Sequence, residues 1–126
     1  MAAVSPHSNV SGVWTLETEI ESSSLKAFEG LRLGYRLELR QEGDRIEGTG
    51  LKIAENGMPL PGPRRTPIRV QGTLGQGRVR LTFGEQGARR KTAGTLNLVM
   101  DESGVLRGEF ASEAARSAGA ARARRL

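Results

Sequence analysis

The sequence predicts an all-β protein: a small antiparallel up-and-down β-barrel of seven or eight strands, with a two-sheet β-sandwich as the alternative. Three observations carry that prediction. Apolar and polar residues alternate along several segments, which is the period of a half-buried strand. Short polar stretches bearing glycine separate the segments, as hairpin turns require. Further glycines fall on the apolar faces of the segments, where they mark close backbone approach or a sharp bend.

Residues 1–11 are polar and mixed and read as a flexible arm. A first strand runs from Val13 to Glu21, with Trp14, Leu16, Thr18 and Ile20 on one face and Thr15, Glu17, Glu19 and Glu21 on the other. Ser22-Ser23-Ser24 opens a connection, and Leu25 to Gly30 forms one helical turn or a lid with Phe28 tucked beneath it. The second strand is the clearest: Leu31, Leu33, Tyr35, Leu37 and Leu39 alternate with Arg32, Gly34, Arg36, Glu38 and Arg40. Glu42-Gly43-Asp44-Arg45 is a hairpin turn, and Ile46, Gly48 and Gly50 share the apolar face of a third strand. That strand ends near Lys52-Ile53-Ala54.

Residues 55–67 read as one long loop, because Pro59, Pro61 and Pro63 cannot donate ladder hydrogen bonds. A fourth strand spans Ile68 to Leu74, and Gly75-Gln76-Gly77 turns the chain into a fifth with Val79, Leu81 and Phe83 on one face. Residues 85–90 turn again. A sixth strand runs from Lys91 to Met100 with Leu96, Leu98 and Met100 inward. Asp101-Glu102-Ser103-Gly104 is a turn in which acid and hydroxyl bond nearby backbone. Leu106, Gly108 and Phe110 form a seventh strand. The last residues are rich in Ala and Arg and read as a frayed tail, with an eighth strand hidden either there or in residues 52–60. The domain is therefore residues 12–112, between an arm of residues 1–11 and a tail of residues 113–126.

A chain of 126 residues is one domain able to hold a single core. It has no cysteine, so disulfides and thiolate metal sites are excluded. That fits a reducing, cytoplasmic compartment, although exported bacterial domains also manage without cysteine. The first residues lack the basic and apolar regions of a signal peptide, and no apolar run is long enough to span a bilayer. The formal charge is +5, but 15 Lys or Arg precede Arg116 against 14 Asp or Glu. The excess is Arg116, Arg122, Arg124 and Arg125, so the predicted barrel is close to neutral and the tail carries the charge.

Gly12-Val13-Trp14 opening the first strand, the meander that follows, and Gly108-Glu109-Phe110 closing it resemble the lipocalin-like and avidin-like barrels. In lipocalins a Gly-x-Trp begins the first strand and its Trp packs across the closed end. The resemblance implies that role for Trp14 and an apolar ligand in the barrel mouth. Five aromatic residues, Trp14, Phe28, Tyr35, Phe83 and Phe110, leave no set of tryptophans to stack on a biotin-like ring.

Little in the chain suits catalysis. His7 is the one histidine and lies in the arm, without a second histidine or a cysteine for a metal or a thiol pair. Asp44 and Asp101 sit in ordinary turns, so neither metal nor cofactor is expected. Glu17, Glu19 and Glu21 are expected to be solvated and to pair with Arg32, Arg36 and Arg40. Such pairs add about 0–1 kcal/mol each. Gly72 to Gly77 lacks the Gly-Lys-Ser/Thr ending of a phosphate loop. An enzyme would need two or more polar side chains converging in the mouth with shifted pKa values, with Glu19, Glu55, Tyr35 and Arg65 the first candidates.

The reading is a non-catalytic binding module. Candidate ligand-binding residues are Tyr35, Phe28, Met58, Leu60, Arg64 and Arg65. Tyr35 offers a hydroxyl at the rim of an apolar stripe. Met58 and Leu60 lie in a proline-stiffened loop, and Leu25 and Phe28 supply the other half of a lid. Arg64-Arg65 with Arg89-Arg90-Lys91 would form a basic rim for a carboxylate, a phosphate or an acidic partner. The partner is a small amphipathic molecule in the mouth or a protein at the loop end, with a homodimer among the options. Nucleic acid, bound through the basic loops and the Arg-rich tail, is the alternative. The aromatics disfavour it, because they sit on apolar faces rather than between positive charges.

Overall fold

The computed structural model describes residues 9–87 and 91–126. The strands are β1 (Gly12–Ser22), β2 (Arg32–Glu42), β3 (Arg45–Glu55), β4 (Met58–Pro59), β5 (Thr66–Gly75), β6 (Arg78–Gln86), β7 (Lys91–Met100), β8 (Leu106–Ser112) and β9 (Ser117–Arg125). Eight of them close an antiparallel barrel, and the two-residue β4 is appended to β3. Each barrel strand pairs with the next, β2 pairs with β3, and β9 returns to pair with β1. The connectivity is up-and-down throughout, and no barrel strand keeps a free edge.

The alternation read from the sequence sets which side chains enter the barrel. Trp14, Leu16, Thr18 and Ile20 are buried on β1, and Tyr35, Leu37 and Leu39 on β2. Ile68, Val70 and Leu74 come from β5, and Val79, Leu81 and Phe83 from β6. Small residues stand opposite large ones across strand pairs. Leu39 faces Gly48, Leu37 faces Gly50 and Phe83 faces Gly94. A Cβ on Gly94 would lie 2.5 Å from the Phe83 ring. The inward glycine thus makes room for an aromatic side chain inside a narrow barrel.

The tail expected after residue 112 is in fact β9, which seals the barrel. Its inward positions are Ser117, Gly119, Ala121 and Ala123, small enough to lie beside the bulky side chains of β1 and β8. Alanine and arginine favour helix in isolation. Here the unpaired edges of β1 and β8 impose strand geometry. The four arginines assigned to a tail therefore belong to the folded body, with Arg122 and Arg124 exposed on its outer wall.

Two other expectations change. The loop of residues 55–67 is shorter than read. Asn56 and Gly57 form a tight turn with φ of 51° and 80°, and Met58–Pro59 then folds back on Glu55 and Ala54. Positive φ at both central residues is the hairpin geometry that an Asn-Gly pair supplies. The arm also docks at its end: Val10 is fully buried, its N–H donates to Gln41 Oε1 at 2.8 Å, and its carbonyl accepts Trp14 Nε1 at 2.8 Å. His7 lies outside the described residues.

One end of the barrel is packed shut by Val10, Trp14, Leu39, Ile46, Leu74, Val79, Leu98 and Leu106. Trp14 is 0 % exposed, and the Arg125 guanidinium carbon lies 4.6 Å from the centre of its ring. Trp14 is thus fully buried at the closed end. The opposite end gathers the end of β1, the start of β2, the end of β3 and the starts of β5, β7 and β9.

Candidate functional site

The open end contains a cavity of about 310 Å³. Its apolar wall comes from Leu16, Ile20, Leu31, Leu33, Ile68, Phe83, Leu96 and Phe110, with Phe28 beside the mouth. Below it the barrel centre is filled, with Leu37 and Leu81 3 % and 4 % exposed. The interior is therefore packed at one end and holds a cavity toward the other. Tyr35, Phe28, Phe83 and Phe110 all line the cavity, so four of the five aromatic residues surround one space.

Polar groups enter this wall at specific points. β6 carries Val79, Leu81, Phe83 and Glu85 on its inward period, so Glu85 faces inward where β5 offers Ile68 and β7 offers Thr92. Thr92 Oγ1 donates to Glu85 Oε2 at 3.4 Å. Glu85 Oε1 is buried without a hydrogen-bond partner among the described residues, and so is Thr18 Oγ1. Most buried polar atoms are paired, so two orphans in one cavity wall are notable. Burial, and then the neighbouring Glu85 carboxylate, both by its charge and as an acceptor beside the hydroxyl, push the Tyr35 phenol well above its ordinary value of about 10. Tyr35 is therefore a neutral hydroxyl at every physiological pH.

The rim is held by hydrogen bonds. Ser24 N–H, Ser24 Oγ and Ser23 Oγ converge on the Ala115 carbonyl at 2.7, 2.8 and 3.1 Å. Ala115 and its neighbour Arg116 have φ of 52° and 48°, an unfavourable region for side-chain-bearing residues. Three donors on one carbonyl hold that strained turn. Ser117 Oγ, also in the cavity wall, is satisfied by Ala114 O at 2.9 Å.

Of the residues singled out in the sequence, Tyr35 and Phe28 line the cavity. Met58 stands on β4 at the same end with 69 % exposure. Leu60 is buried, but outside the barrel's core cluster. Arg65 Nε donates to the Leu60 carbonyl at 3.1 Å, which ties this arginine to the loop. Arg64 ends the 3₁₀ turn Gly62–Arg64. Arg64, Arg65 and Lys91 do lie at the mouth end, while Arg89 and Arg90 fall outside the described residues. Of the four residues named first for an enzyme, Tyr35 and Glu55 line the cavity, and Glu19 and Arg65 do not.

The sequence reading missed Glu85, assigned there to a turn, and gave Thr18 no part in a site. Both were detectable as polar residues at inward positions of an otherwise apolar period.

Among the described residues, no group of three His, Cys, Asp or Glu side chains could hold a metal ion. Among the described residues, no helix is long and apolar enough to cross a membrane. The chain matches no family model, no curated protein and no solved structure.

Proposed function

We propose that this protein is a non-catalytic carrier or sensor that takes a small amphipathic molecule into the open end of its barrel, in the manner of the lipocalin-like barrels it resembles. The cavity at the open end carries this reading. A volume of about 310 Å³ is at the lower end of the range that encloses small ligands. Its apolar walls, with a few polar groups among them, suit a molecule with a hydrophobic body and one hydrogen-bonding end. The closed lower end, with Trp14 buried in it, supports the lipocalin-like assignment.

The test is titration with an uncharged apolar fluorescent reporter, N-phenylnaphthylamine. Enhanced emission that saturates, and that is abolished by Thr92→Trp in the cavity wall but kept by Met58→Ala, is the expected result. No saturable binding would remove the proposal.

A protein partner is the second reading, supported by Met58 and Leu25 at 69 % and 52 % exposure on one end of the barrel. Loss of self-association or of partner capture on Met58→Ala, with reporter binding absent, would favour it.

A further inference from the structure

We infer that the ligand is an amphipathic ammonium: a protonated amine on a small apolar or aromatic body, its N–H directed at Glu85, with Thr18 on the opposite wall of the same cavity. The inference rests on the carrier reading above and names the chemical class it would serve.

Three observations converge on this class. The first is the pair of orphaned atoms. Thr18 is 4 % exposed, and its Oγ1 and Glu85 Oε1 are buried and unpartnered among the described residues. A buried carboxylate oxygen accepts and cannot donate, so it calls for a donor. Left unmet, such an atom is a substantial penalty, larger for a charged group than for a neutral one. The second is charge. The groups lining the cavity include two carboxylates, Glu55 and Glu85, against one ammonium, Lys52. The cavity lining thus carries one more carboxylate than ammonium, in a chain of formal charge +5. Among the described residues, no cation lies within ion-pair distance of Glu85. The third is the wall itself. Tyr35, Phe83, Phe110 and Phe28 put most of the chain's aromatic rings around this one space. Aromatic faces attract cations, and more strongly when the site is desolvated.

An anionic ligand meets the opposite conditions. It would add a third carboxylate-like charge beside Glu85 and leave Glu85 Oε1 without a donor. A neutral alcohol would supply a donor but no charge, and would gain less from the acceptor and from the rings.

The experiment compares three probes of similar size on the whole protein by calorimetry: 2-phenylethylammonium, 2-phenylethanol and phenylacetate. The ammonium should bind at least tenfold more tightly than either of the others. Glu85→Gln, which keeps the side-chain volume, should remove most of that advantage and leave alcohol binding within about twofold. Thr18→Val should weaken ammonium binding more than alcohol binding, giving a second variant should Glu85→Gln fold poorly. Equal or tighter binding of alcohol or carboxylate to the wild-type protein, with N-phenylnaphthylamine still bound, overturns the ammonium assignment and leaves the carrier reading intact. Ammonium binding unaffected by Glu85→Gln in a folded variant also overturns it. Failure of all three probes and of the reporter overturns both.

Discussion

Arg125, from the last barrel strand, covers Trp14, from the first, with its guanidinium carbon 4.6 Å from the indole centre. The same guanidinium donates to the Asn9 carbonyl at 2.8 Å and to the Ser11 carbonyl. One side chain therefore joins the seam of the barrel, the docked end of the N-terminal segment and the plug of the closed end. Arg125→Ala should lower stability by about 1–3 kcal/mol, from two charge-assisted hydrogen bonds and one exposed cation–π contact. Chemical denaturation followed by the emission of Trp14, the only tryptophan, checks this directly. An unchanged midpoint would mean that the seam does not depend on this contact.

Two glycines on β5 should respond unequally to the same change. A Cβ on Gly72 would meet the Arg80 carbonyl and lie 2.8 Å from Leu81 Cα, whereas one on Gly75 meets nothing within 4 Å. Gly72→Ala should destabilise by about 1–3 kcal/mol or more, as overpacking against fixed backbone does. Gly75→Ala should stay within about 0.5 kcal/mol of the parent. Paired thermal melts measure both, and equal effects would contradict the close approach of β5 and β6 at Gly72.

How far the fold could be read ahead of the structure depended on where large side chains fell. Leu37 and Leu39 on β2, and Leu96 and Leu98 on β7, sit at the inward positions their alternation indicates. β9 escaped because its inward residues are glycine and alanine, which carry almost no hydrophobic signal. The alternation of Ala121, Arg122, Ala123 and Arg124 was the one visible clue. Closure supplies the rest, since β1 and β8 each need a partner. The site was legible only in part. Tyr35 and Phe28 could be nominated from their types, but Glu85 becomes a site residue only once the register of β6 puts it beside Thr92 and Ile68. The short β4 depends on backbone pairing and has no apolar pattern to betray it.

Asp101 anchors the turn between β7 and β8. The Ser103 hydroxyl at 2.6 Å, then Arg107 at 3.0 Å, hold its carboxyl well below the usual carboxylate range. A carboxylate with a lower pKa in the folded state than in the unfolded state adds stability above the unfolded pKa, about 3.9, and loses it as the pH falls. Asp101→Asn should therefore lower the melting temperature at neutral pH. The gap to the parent should narrow steadily below about pH 4. Melts across an acid series check this, and a gap that stays constant would contradict it.

Tyr35 is the only tyrosine, so the phenolate absorbance reports on the cavity alone. Burial and the adjacent Glu85 raise its pKa, so its contribution to stability is complete below about pH 10 and is lost as the pH rises past the folded-state value. The titration midpoint should lie well above 10 or coincide with alkaline unfolding. Glu85→Gln should bring it down. A midpoint near 10 in the folded parent would mean that the hydroxyl meets water freely.

The cavity at the open end of the barrel is tested most directly by amide chemical-shift mapping while N-phenylnaphthylamine is titrated into isotope-labelled protein. The expected shifts cluster on Thr18, Tyr35, Ile68, Phe83, Glu85 and Phe110 and spare Trp14, Val79 and Leu106 at the closed end. Shifts confined to the outer loops around Met58 and Arg64, or none at all, would contradict it.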